Sequence, residues 1–354
     1  TRCRIVTGVQ TCALPIYSRR TVAAKNSLGE GDDPSHDFSC KVECTNGRSI
    51  VAERPVYFSR GAASGGHDAV GVPGQKEPAA ALRDVRFFAY QIQDQSEGDN
   101  IRVLAESHYD MLVVDRTGSI KGNEDFDSAR EVALLKDSPG SLGGRKLVVC
   151  YLDAGEAEEY RGYWEDWWTV GNPEWIVAHD PDGWDGNYPV KFWRKRWKDI
   201  MKDEIDAIIA DGYDGVYLDW LEAYSFKPVA DAAAAEGLDA EDELVDFVRE
   251  LASHARASKP GFIVIAQNAS EMGARPDYLS VFDAISQEAI WYDGGGDPDN
   301  GGTPGDVPQD PGLTGEYLAN LALWLEAGKP VFNVEYAQND GNPANAYSLG
   351  KAKG

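Results

Sequence analysis

The sequence has few cysteines and histidines and no long apolar segment. Its 354 residues include five cysteines and five histidines. None of them form a Cys-x-x-Cys or His-x-x-x-His pair, the spacings typical of zinc sites, so we predict neither a metal site nor any other cofactor. A membrane-spanning helix needs about 18 or more consecutive apolar residues. The sequence has no such run, and we therefore predict no membrane span.

Positive charge is also scarce. Lys and Arg number 34 against 59 Asp and Glu, which gives a formal net charge of −25. Nucleic acids and anionic membranes bind basic surfaces, so this charge argues against both as partners. It is compatible with a cationic substrate, although a solvated acidic surface is the more common reason for such a composition.

The cysteines leave the redox compartment open. Cys150 lies in an apolar run and is expected to be a buried small side chain. Cys40 and Cys44 would be about 13 Å apart in an extended strand, which is too far for a disulfide. Only a turn or helix between them would allow them to pair.

The N-terminal region differs in composition from the rest. Residues 6–16 read VTGVQTCALPI, which matches the translation of a sequencing-library adapter, and we interpret residues 1–16 as an artefact of sequencing. A signal peptide could have been lost there. Residues 17–76 are rich in Gly, Ser, Asp and Arg, with β-like runs at 49–52 and 55–59. They are interpreted as a linker or as part of a β-rich module.

After residue 77 apolar strand-like runs alternate with helical patterns. The helical patterns cover 192–210, 241–256 and 317–326. Eight strands alternating with helices predict a (β/α)8 TIM barrel over residues 77–354, preceded by an irregular or β-rich extension. The chain ends soon after the last run, which leaves truncation of the closing helix open. The eight runs are 87–93, 111–115, 147–153, 175–179, 216–219, 262–268, 283–288 and 331–336.

Polar side chains end several of these strands. Alternate residues of a strand share a face, so Gly215, Tyr217 and Asp219 point the same way. Catalytic groups of parallel barrels lie at the C-terminal ends of the strands, where they converge on one pocket. A carboxylate-lined cleft is therefore predicted from residues at or just after the strand ends: Asp115, Asp153, Glu156, Asp219, Asn268, Glu288 and Glu335.

Aromatic residues accompany the same strand ends. Flat rings stack on the faces of pyranose sugars, so rings beside acids are typical of a carbohydrate groove. Packing in the core is the alternative explanation. Core packing explains Trp193 and Trp197, which lie in a helical pattern. It explains Trp184 less well, because Trp184 lies in a polar loop. The aromatic residues are Tyr90, Tyr151, Trp184, Trp220, Tyr224, Trp291, Tyr292 and Tyr336.

Asp219 and Glu288 form the best candidate catalytic pair. Glycoside hydrolysis needs two carboxyl groups, one as acid and the other as nucleophile or base. The strands that carry these two residues are separated by one strand, so both side chains can flank one bond. Glu288 lies between apolar neighbours, which would raise its pKa by desolvation, and it is the predicted proton donor.

Five separated motifs carry a resemblance to a known family. They are YLDAGEAEEYR at 151–161, GNYPVKFW at 186–193, GYDGVYLDWLEAY at 212–224, IAQNASEM at 265–272 and VFNVEYA at 331–337. In this order they resemble the motifs of the endo-α-1,4-polygalactosaminidases, glycoside hydrolase family 114. Two positions depart from the family pattern. Asp153 stands before Ala154 where a small or apolar residue is usual, and Glu222 replaces the usual second aspartate.

The resemblance implies a barrel that cleaves α-1,4-linked galactosamine-rich exopolysaccharide with Asp219 and Glu288 as the catalytic pair. A galactosamine polymer is cationic, and an enzyme acting on it would be extracellular or on the cell surface. A glycosidase for another polysaccharide and a non-catalytic carbohydrate-binding module with the same barrel are the alternatives. The predicted substrate-binding residues are Asp115, Asp153, Glu156, Trp184, Asn187, Tyr217, Glu222, Tyr224, Asn268, Trp291, Glu335 and Tyr336.

Overall fold

The computed structural model describes residues 81–294, 305–339 and 341–353, together with the backbone of five strands before residue 81. The chain divides into two compact units, Thr1–Gln75 and Lys76–Gly354. The predicted run at 49–52 and the question of a Cys40–Cys44 pair lie outside the described residues. The interpretations of residues 1–16 and 17–76 stay predictions.

The first unit contains antiparallel strands. Arg2–Val6 pairs with Gln10–Ala13 on one side and with Lys41–Cys44 on the other. Glu53–Arg60 and Ala63–Val70 form a separate hairpin.

The second unit is built on seven parallel strands. They pair in chain order, each strand beside the next. The sheet curls until the rings of Phe88 in the first strand and Phe332 in the last are 5.3 Å apart between centroids. This is an architecture of the (β/α)8 TIM-barrel class. The strands are β1 (Phe88–Gln91), β2 (Met111–Val114), β3 (Leu147–Asp153), β4 (Gly215–Asp219), β5 (Ile263–Gln267), β6 (Ala284–Glu288) and β7 (Val331–Val334).

The predicted fourth strand, residues 175–179, is not a strand in the structure, and that prediction is wrong. Instead β3 pairs directly with β4. The segment between them contains a small antiparallel pair, Glu156–Glu158 with Asn187–Pro189. Trp175 is buried because its ring packs against Trp168 and Trp197, at centroid distances of 4.8 and 5.6 Å. The apolar character that indicated a strand therefore comes from an aromatic cluster.

Helices cover the outside of the sheet. The predicted helix at 241–256 is confirmed as α5, which begins where the Asp239 side chain accepts the N–H groups of Glu241 and Asp242. A helix after β7 was not predicted, yet α8 is present. The helices are α1 (Asn100–Glu106), α2 (Ser128–Lys136), α3 (Lys195–Ala210), α4 (Lys227–Ala235), α5 (Ala240–Ser258), α6 (Pro276–Leu279), α7 (Pro311–Glu326) and α8 (Asn342–Lys351). Among the described residues no helix is both long and apolar enough to span a bilayer.

The strands divide the core into two clusters because their side chains alternate. Val113, Tyr151 and Tyr217 belong to the cluster inside the curled sheet. Val216 and Leu218 belong to the cluster between the sheet and the helices. The predicted orientation of β4 is therefore confirmed, and its inward face ends at Asp219.

One buried carboxyl group outside the barrel interior has no hydrogen-bond partner. Glu131 lies in the first turn of α2 and is only 4 % exposed. Neither of its carboxyl oxygens has a hydrogen-bond partner among the described residues. Burial, assisted by the charge of Asp115, raises the pKa of Glu131 from 4.5 to about 7.

We predict that Glu131→Gln stabilises the protein above neutral pH. The native state binds this proton more tightly than the unfolded chain, so the wild type loses stability as pH rises from about 4.5 to about 7. A neutral amide avoids that loss, and the gain in the free energy of unfolding at pH 8 is about 3 kcal/mol. Urea unfolding at pH 8 and pH 5 measures it, and the gain should shrink at pH 5.

Glu326→Gln, an exposed change at the end of α7, is the control and should alter stability little. An equal effect of Glu131→Gln at both pH values would contradict the prediction.

Candidate active site

The chain turns sharply after three neighbouring strands. Trp220, Asn268 and Ala289, which follow β4, β5 and β6, have φ values of 56°, 59° and 51°. This left-handed conformation is unfavourable for residues other than glycine and occurs preferentially at functional sites. The turns leave Asp219 and Glu288 as the last residues of β4 and β6.

Two donors hold the carboxyl group of Asp219. The Tyr151 hydroxyl donates to Oδ2 at 2.9 Å, and the Trp220 backbone N–H donates to Oδ1 at 2.8 Å. Both donors face a carboxylate oxygen, so the orientation of the Asp219 side chain is fixed before substrate arrives.

Glu288 is held in a similar way from two other strands. Asn268 Nδ2 donates to Oε2 at 2.9 Å, and the Tyr336 hydroxyl donates to Oε1 at 2.7 Å. Asn268 Oδ1 in turn accepts the Glu288 N–H at 3.1 Å. Asn268 therefore connects the end of β5 to both the backbone and the side chain of Glu288.

The two carboxyl groups act on each other electrostatically. Burial, and then the charge of Glu288, raise the pKa of Asp219 from 3.8 to about 7, against the opposing effects of its two donors. Asp219 is therefore partly protonated at neutral pH.

Desolvation of Asp219 was not expected from the sequence. In the structure burial is the largest cause of its raised pKa. Asp219 ends a strand that is paired on both sides. Glu288 instead contacts Tyr336, which is 38 % exposed at the rim of the site.

Glu222 is a third carboxyl group in the same place. Burial, with the charge of Asp219, raises its pKa to about 8. Its Oε2 atom is buried and has no hydrogen-bond partner among the described residues. The residue that departs from the family pattern thus adds a neutral acid beside the pair near pH 7.

Asp153 lies beside Asp219 on the neighbouring strand, since the two are register partners. Its Oδ1 accepts the N–H groups of Gly155 and Glu156 at 3.1 and 2.8 Å. Burial and the charge of Glu156 raise the pKa of Asp153 well above its usual range. Asp153 therefore shapes the turn after β3.

A pair of acids holds the loop that carries Trp184. Asn187 Nδ2 donates to Glu156 Oε2 at 3.2 Å. Burial, and next the charge of Asp180, raise the pKa of Glu156 to about 10. Asp180 Oδ1 accepts the backbone N–H of Trp184 at 2.8 Å. The Trp184 side chain is 52 % exposed. Asp180 was missed in the sequence, where it follows the wrongly predicted strand.

Three tyrosines lie together inside the barrel below the pair. The ring of Tyr90 is 6.3 Å from that of Tyr151 and 5.5 Å from that of Tyr217. The Tyr217 hydroxyl donates to Gln267. Tyr90 and Tyr151 were noted as aromatic but were not assigned to the site. Tyr151 could have been assigned because it lies two residues before Asp153 and therefore on the same face of that strand.

Asp115 is engaged in a buried ion pair. Arg161 donates to both of its carboxylate oxygens at 2.8 and 2.9 Å, and to Glu158 Oε2 at 2.7 Å. The structure therefore does not bring Asp115 to Asp219 and Glu288. Asp115 instead anchors the segment after β3 through Arg161.

Glu335 and Tyr224 are also bonded to protein groups. Glu335 Oε2 accepts the N–H groups of Trp291 and Tyr292 at 3.1 and 2.7 Å, which fixes the turn after β6. The Tyr224 hydroxyl donates to Glu271 at 2.6 Å. Both hold neighbouring loops in place.

A parallel barrel with two carboxyl groups at the ends of β4 and β6 has the arrangement that glycoside hydrolases use. A sequence model of the glycoside-hydrolase family GH114 matches residues 84–353, and the chain belongs to this family. An uncharacterized protein of Deinococcus radiodurans is 32 % identical over 282 residues, covering 80 % of this chain and 82 % of the relative. One of Thermotoga maritima, also uncharacterized, is 32 % identical over 51 % of this chain and 52 % of its own length.

A solved structure has the same fold. The glycoside hydrolase domain of PelA from Pseudomonas aeruginosa aligns with a TM-score of 0.53 and 16 % identity, over 76 % of this chain and 90 % of that domain. At this identity the likeness concerns the fold alone.

We predict that Gly155→Ala disrupts the site. A Cβ at Gly155 would lie 2.1 Å from the backbone oxygen of Trp220, directly after Asp219, and a backbone atom cannot move aside cheaply. The variant should lose at least about tenfold in activity on any polymer that the wild type cleaves, because small displacements of catalytic groups are costly. Gly144→Ala, where a Cβ meets no atom within 4 Å, is the control. Equal activity of the two variants would contradict this prediction.

We predict that Tyr151→Phe raises the pKa of Asp219 above about 7. The phenol O–H stabilises the carboxylate of Asp219 and so lowers its pKa. Without this hydrogen bond, burial and the charge of Glu288 raise the pKa further. Carboxyl carbon NMR of Asp219 as a function of pH measures the midpoint. Tyr347→Phe, at an exposed position of α8, should not change it. A midpoint that stays the same or falls in Tyr151→Phe would count against the hydrogen bond.

Proposed function

We propose that the protein is an endo-acting hydrolase of α-1,4-linked galactosamine-rich exopolysaccharide, with Asp219 and Glu288 as its catalytic pair. The observation that carries the proposal is the position of these two carboxyl groups as the last residues of β4 and β6, where each accepts hydrogen bonds from two donors. The motif resemblance of the chain to the polygalactosaminidases supports the choice of polymer.

In this proposal one carboxyl group protonates the leaving oxygen and the other acts as nucleophile or as the base for water. We assign the proton donor to Glu288, because its contact with the exposed Tyr336 places it at the rim of the site. We assign the anomeric carbon to Asp219, the last residue of β4, whose carboxylate accepts the Tyr151 O–H and the Trp220 N–H.

The charge of the whole chain fits a cationic polymer. Its net charge is −25, whereas the raised pKa values of Glu156 and Glu222 leave these two acids mostly protonated near pH 7. Ammonium groups of galactosamine are attracted by the negative field of the chain and favour the charged form of any acid beside them. An exopolysaccharide lies outside the cell, so the proposal includes an extracellular or cell-surface location for the enzyme.

Within the predicted substrate-binding set, exposure separates two roles. Trp184 and Tyr336 are exposed aromatic residues and are proposed to stack on sugar rings. Asn187 and Trp291 are proposed to contact the sugar units that stack on Trp184 and Tyr336. Glu222 is proposed to act as a neutral acid beside the pair. The other members are proposed to hold the loops and side chains of the site through the hydrogen bonds described above: Asp115, Asp153, Glu156, Tyr217, Tyr224, Asn268 and Glu335.

We predict that Asp219→Asn and Glu288→Gln each lower the hydrolysis rate of the galactosamine polymer by about 10³-fold or more, because each removes a group that acts on the reacting atoms. Binding of the polymer should persist, since the amides keep the shape. Reducing ends measure the rate, and product sizes test for internal cleavage. Glu326→Gln, with the same change of charge at an exposed site, is the control.

The same assay on a panel of polysaccharides tests the alternatives. Cleavage of another polymer alone would replace the proposed substrate. Binding of the galactosamine polymer without any cleavage by the wild type would indicate a non-catalytic carbohydrate-binding protein. Near-wild-type rates in both variants would refute the assignment of the pair.

A further inference from the structure

Two carboxyl groups meet at the base of the loop that carries Trp184. This loop covers residues 180–187, and it is closed because the Asp180 N–H donates to the backbone oxygen of Asn187 at 3.0 Å. Asn187 Nδ2 also donates to Glu156 Oε2 at 3.2 Å. Glu156, which is only 1 % exposed, therefore lies beside the point where the loop begins and ends.

One oxygen of each carboxyl group has no donor. Asp180 Oδ1 accepts the N–H groups of Asp182 and Trp184, both at 2.8 Å. The other oxygen of this carboxyl group, Asp180 Oδ2, and Glu156 Oε1 are buried and accept no hydrogen bond from any described residue. Buried polar atoms without a partner are rare, because they lose their hydration without replacement. These two oxygens therefore need a donor that no other described side chain supplies.

The charges around the two carboxyl groups are negative. Among the residues that the structure describes, no Lys, Arg or His forms an ion pair with Glu156 or Asp180. His179 precedes Asp180, but its ring packs against Tyr188 at 5.1 Å between centroids. Two ionised carboxylates would repel each other here, and one proton between them removes that repulsion. The titratable groups that act on them from neighbouring positions are Asp153, Asp219 and Asp182.

The electrostatics of Glu156 agree with a retained proton. Burial, and then the charge of Asp180, raise its pKa to about 10, although the hydrogen bond from Asn187 lowers it. Hydrogen bonding between the Glu156 and Asp180 side chains adds to the rise. A protonated Glu156 can donate to Asp180, which satisfies both of the oxygens that have no other donor.

The loop lies close to the proposed catalytic pair. The charge of Glu288 contributes to the raised pKa of Asp182, after burial and the charge of Asp180. The charge of Asp219 likewise acts on Glu156. A group that fixes the base of this loop therefore fixes the part of the chain that borders the active site.

We propose that Glu156 and Asp180 share one proton, and that the resulting hydrogen bond between carboxyl groups positions Trp184 at the edge of the active site. Glu156 Oε1–H donates to Asp180 Oδ2, while Asp180 Oδ1 holds the Trp184 N–H. Glu156 and Asp180 are thus positioning residues that act through Trp184. The contact of Trp184 with a sugar ring rests on the proposed function, whereas the shared proton does not.

Titration of the Glu156 carboxyl carbon by NMR tests the shared proton. In the wild type Glu156 should stay protonated from pH 5 to pH 8 and titrate near pH 10. In Asp180→Asn the partner charge is gone and the amide can donate instead, so the midpoint should fall by at least about one pH unit. A wild-type midpoint near the ordinary value of 4.5, or the same midpoint in both proteins, would overturn the proposal.

The Trp184 ring reports the position of the loop. In protein labelled with 5-fluorotryptophan, Trp184→Phe identifies the fluorine NMR signal of Trp184. Glu156→Gln keeps the link without a proton, because its Nε2 can donate to Asp180 while its Oε1 accepts the Asn187 N–H. At pH 7 its Trp184 signal should match that of the wild type, and in Glu156→Ala the signal should move towards that of free fluorotryptophan.

The effect of pH distinguishes a shared proton from a merely structural contact. Above about pH 10 the Trp184 signal should move in the wild type but not in Glu156→Gln. Glu165→Gln, at an exposed glutamate of the same segment, is the matched control and should follow the wild type throughout. An unchanged signal in Glu156→Ala, or equal movement with pH in the wild type and Glu156→Gln, would contradict the positioning role.

Kinetics on the polymer separate a failure here from a failure of the proposed function. Glu156→Ala should raise KM by about threefold or more with a smaller change in kcat, since a stacking contact binds ground state and transition state alike. Glu156→Gln should keep the wild-type KM. An unchanged KM in Glu156→Ala would reject the role of the pair in positioning Trp184. A wild type that cleaves no polymer would reject the proposed function, and the two NMR experiments would still decide the shared proton.

Discussion

Two carboxyl groups held at the mouth of a curled sheet are the constraint on which the site depends. Tyr217 and Ala284 are both register partners of Ile265 in β5. Asp219 and Glu288 lie two and four residues further along β4 and β6, so their side chains share one face of the sheet. Burial and mutual repulsion oppose the ionisation of both at once, and the pKa of Asp219 rises to about 7. The hydrogen bonds from Tyr151, Asn268 and Tyr336 are needed because an unheld buried carboxyl group would turn away or stay protonated.

The surrounding structure serves to keep this arrangement fixed. The left-handed turns at Trp220 and Asn268 end the strands where the carboxyl groups are needed, and the core holds those turns in place. Gly155 allows the backbone after β3 to approach Trp220 closely. Buried ion pairs, such as Arg161 with Asp115, anchor the long segment between β3 and β4. Acids that looked equivalent in the sequence therefore divide into groups that face the cleft and groups that hold the loops.

Much of the fold could be predicted because strand alternation and helical spacing are local signals. The face of β4 that ends in Asp219, and the helix that became α5, both follow from short-range patterns. The false strand at 175–179 arose because an apolar run packed in an aromatic cluster resembles a buried strand. The role of Asp115 depends on Arg161, 46 positions away, and no local pattern shows such a contact. The burial that raises the pKa of Asp219 likewise depends on strand neighbours that only the folded sheet defines.

The central claim is that the charge of Glu288 raises the pKa of Asp219. Titration of the Asp219 carboxyl carbon by NMR in the wild type and in Glu288→Gln tests it most directly. The account predicts a wild-type midpoint of about 7 and a lower midpoint in the variant, because the neighbouring charge is gone. The same midpoint in both proteins, or a wild-type midpoint near the ordinary aspartate value, would contradict it.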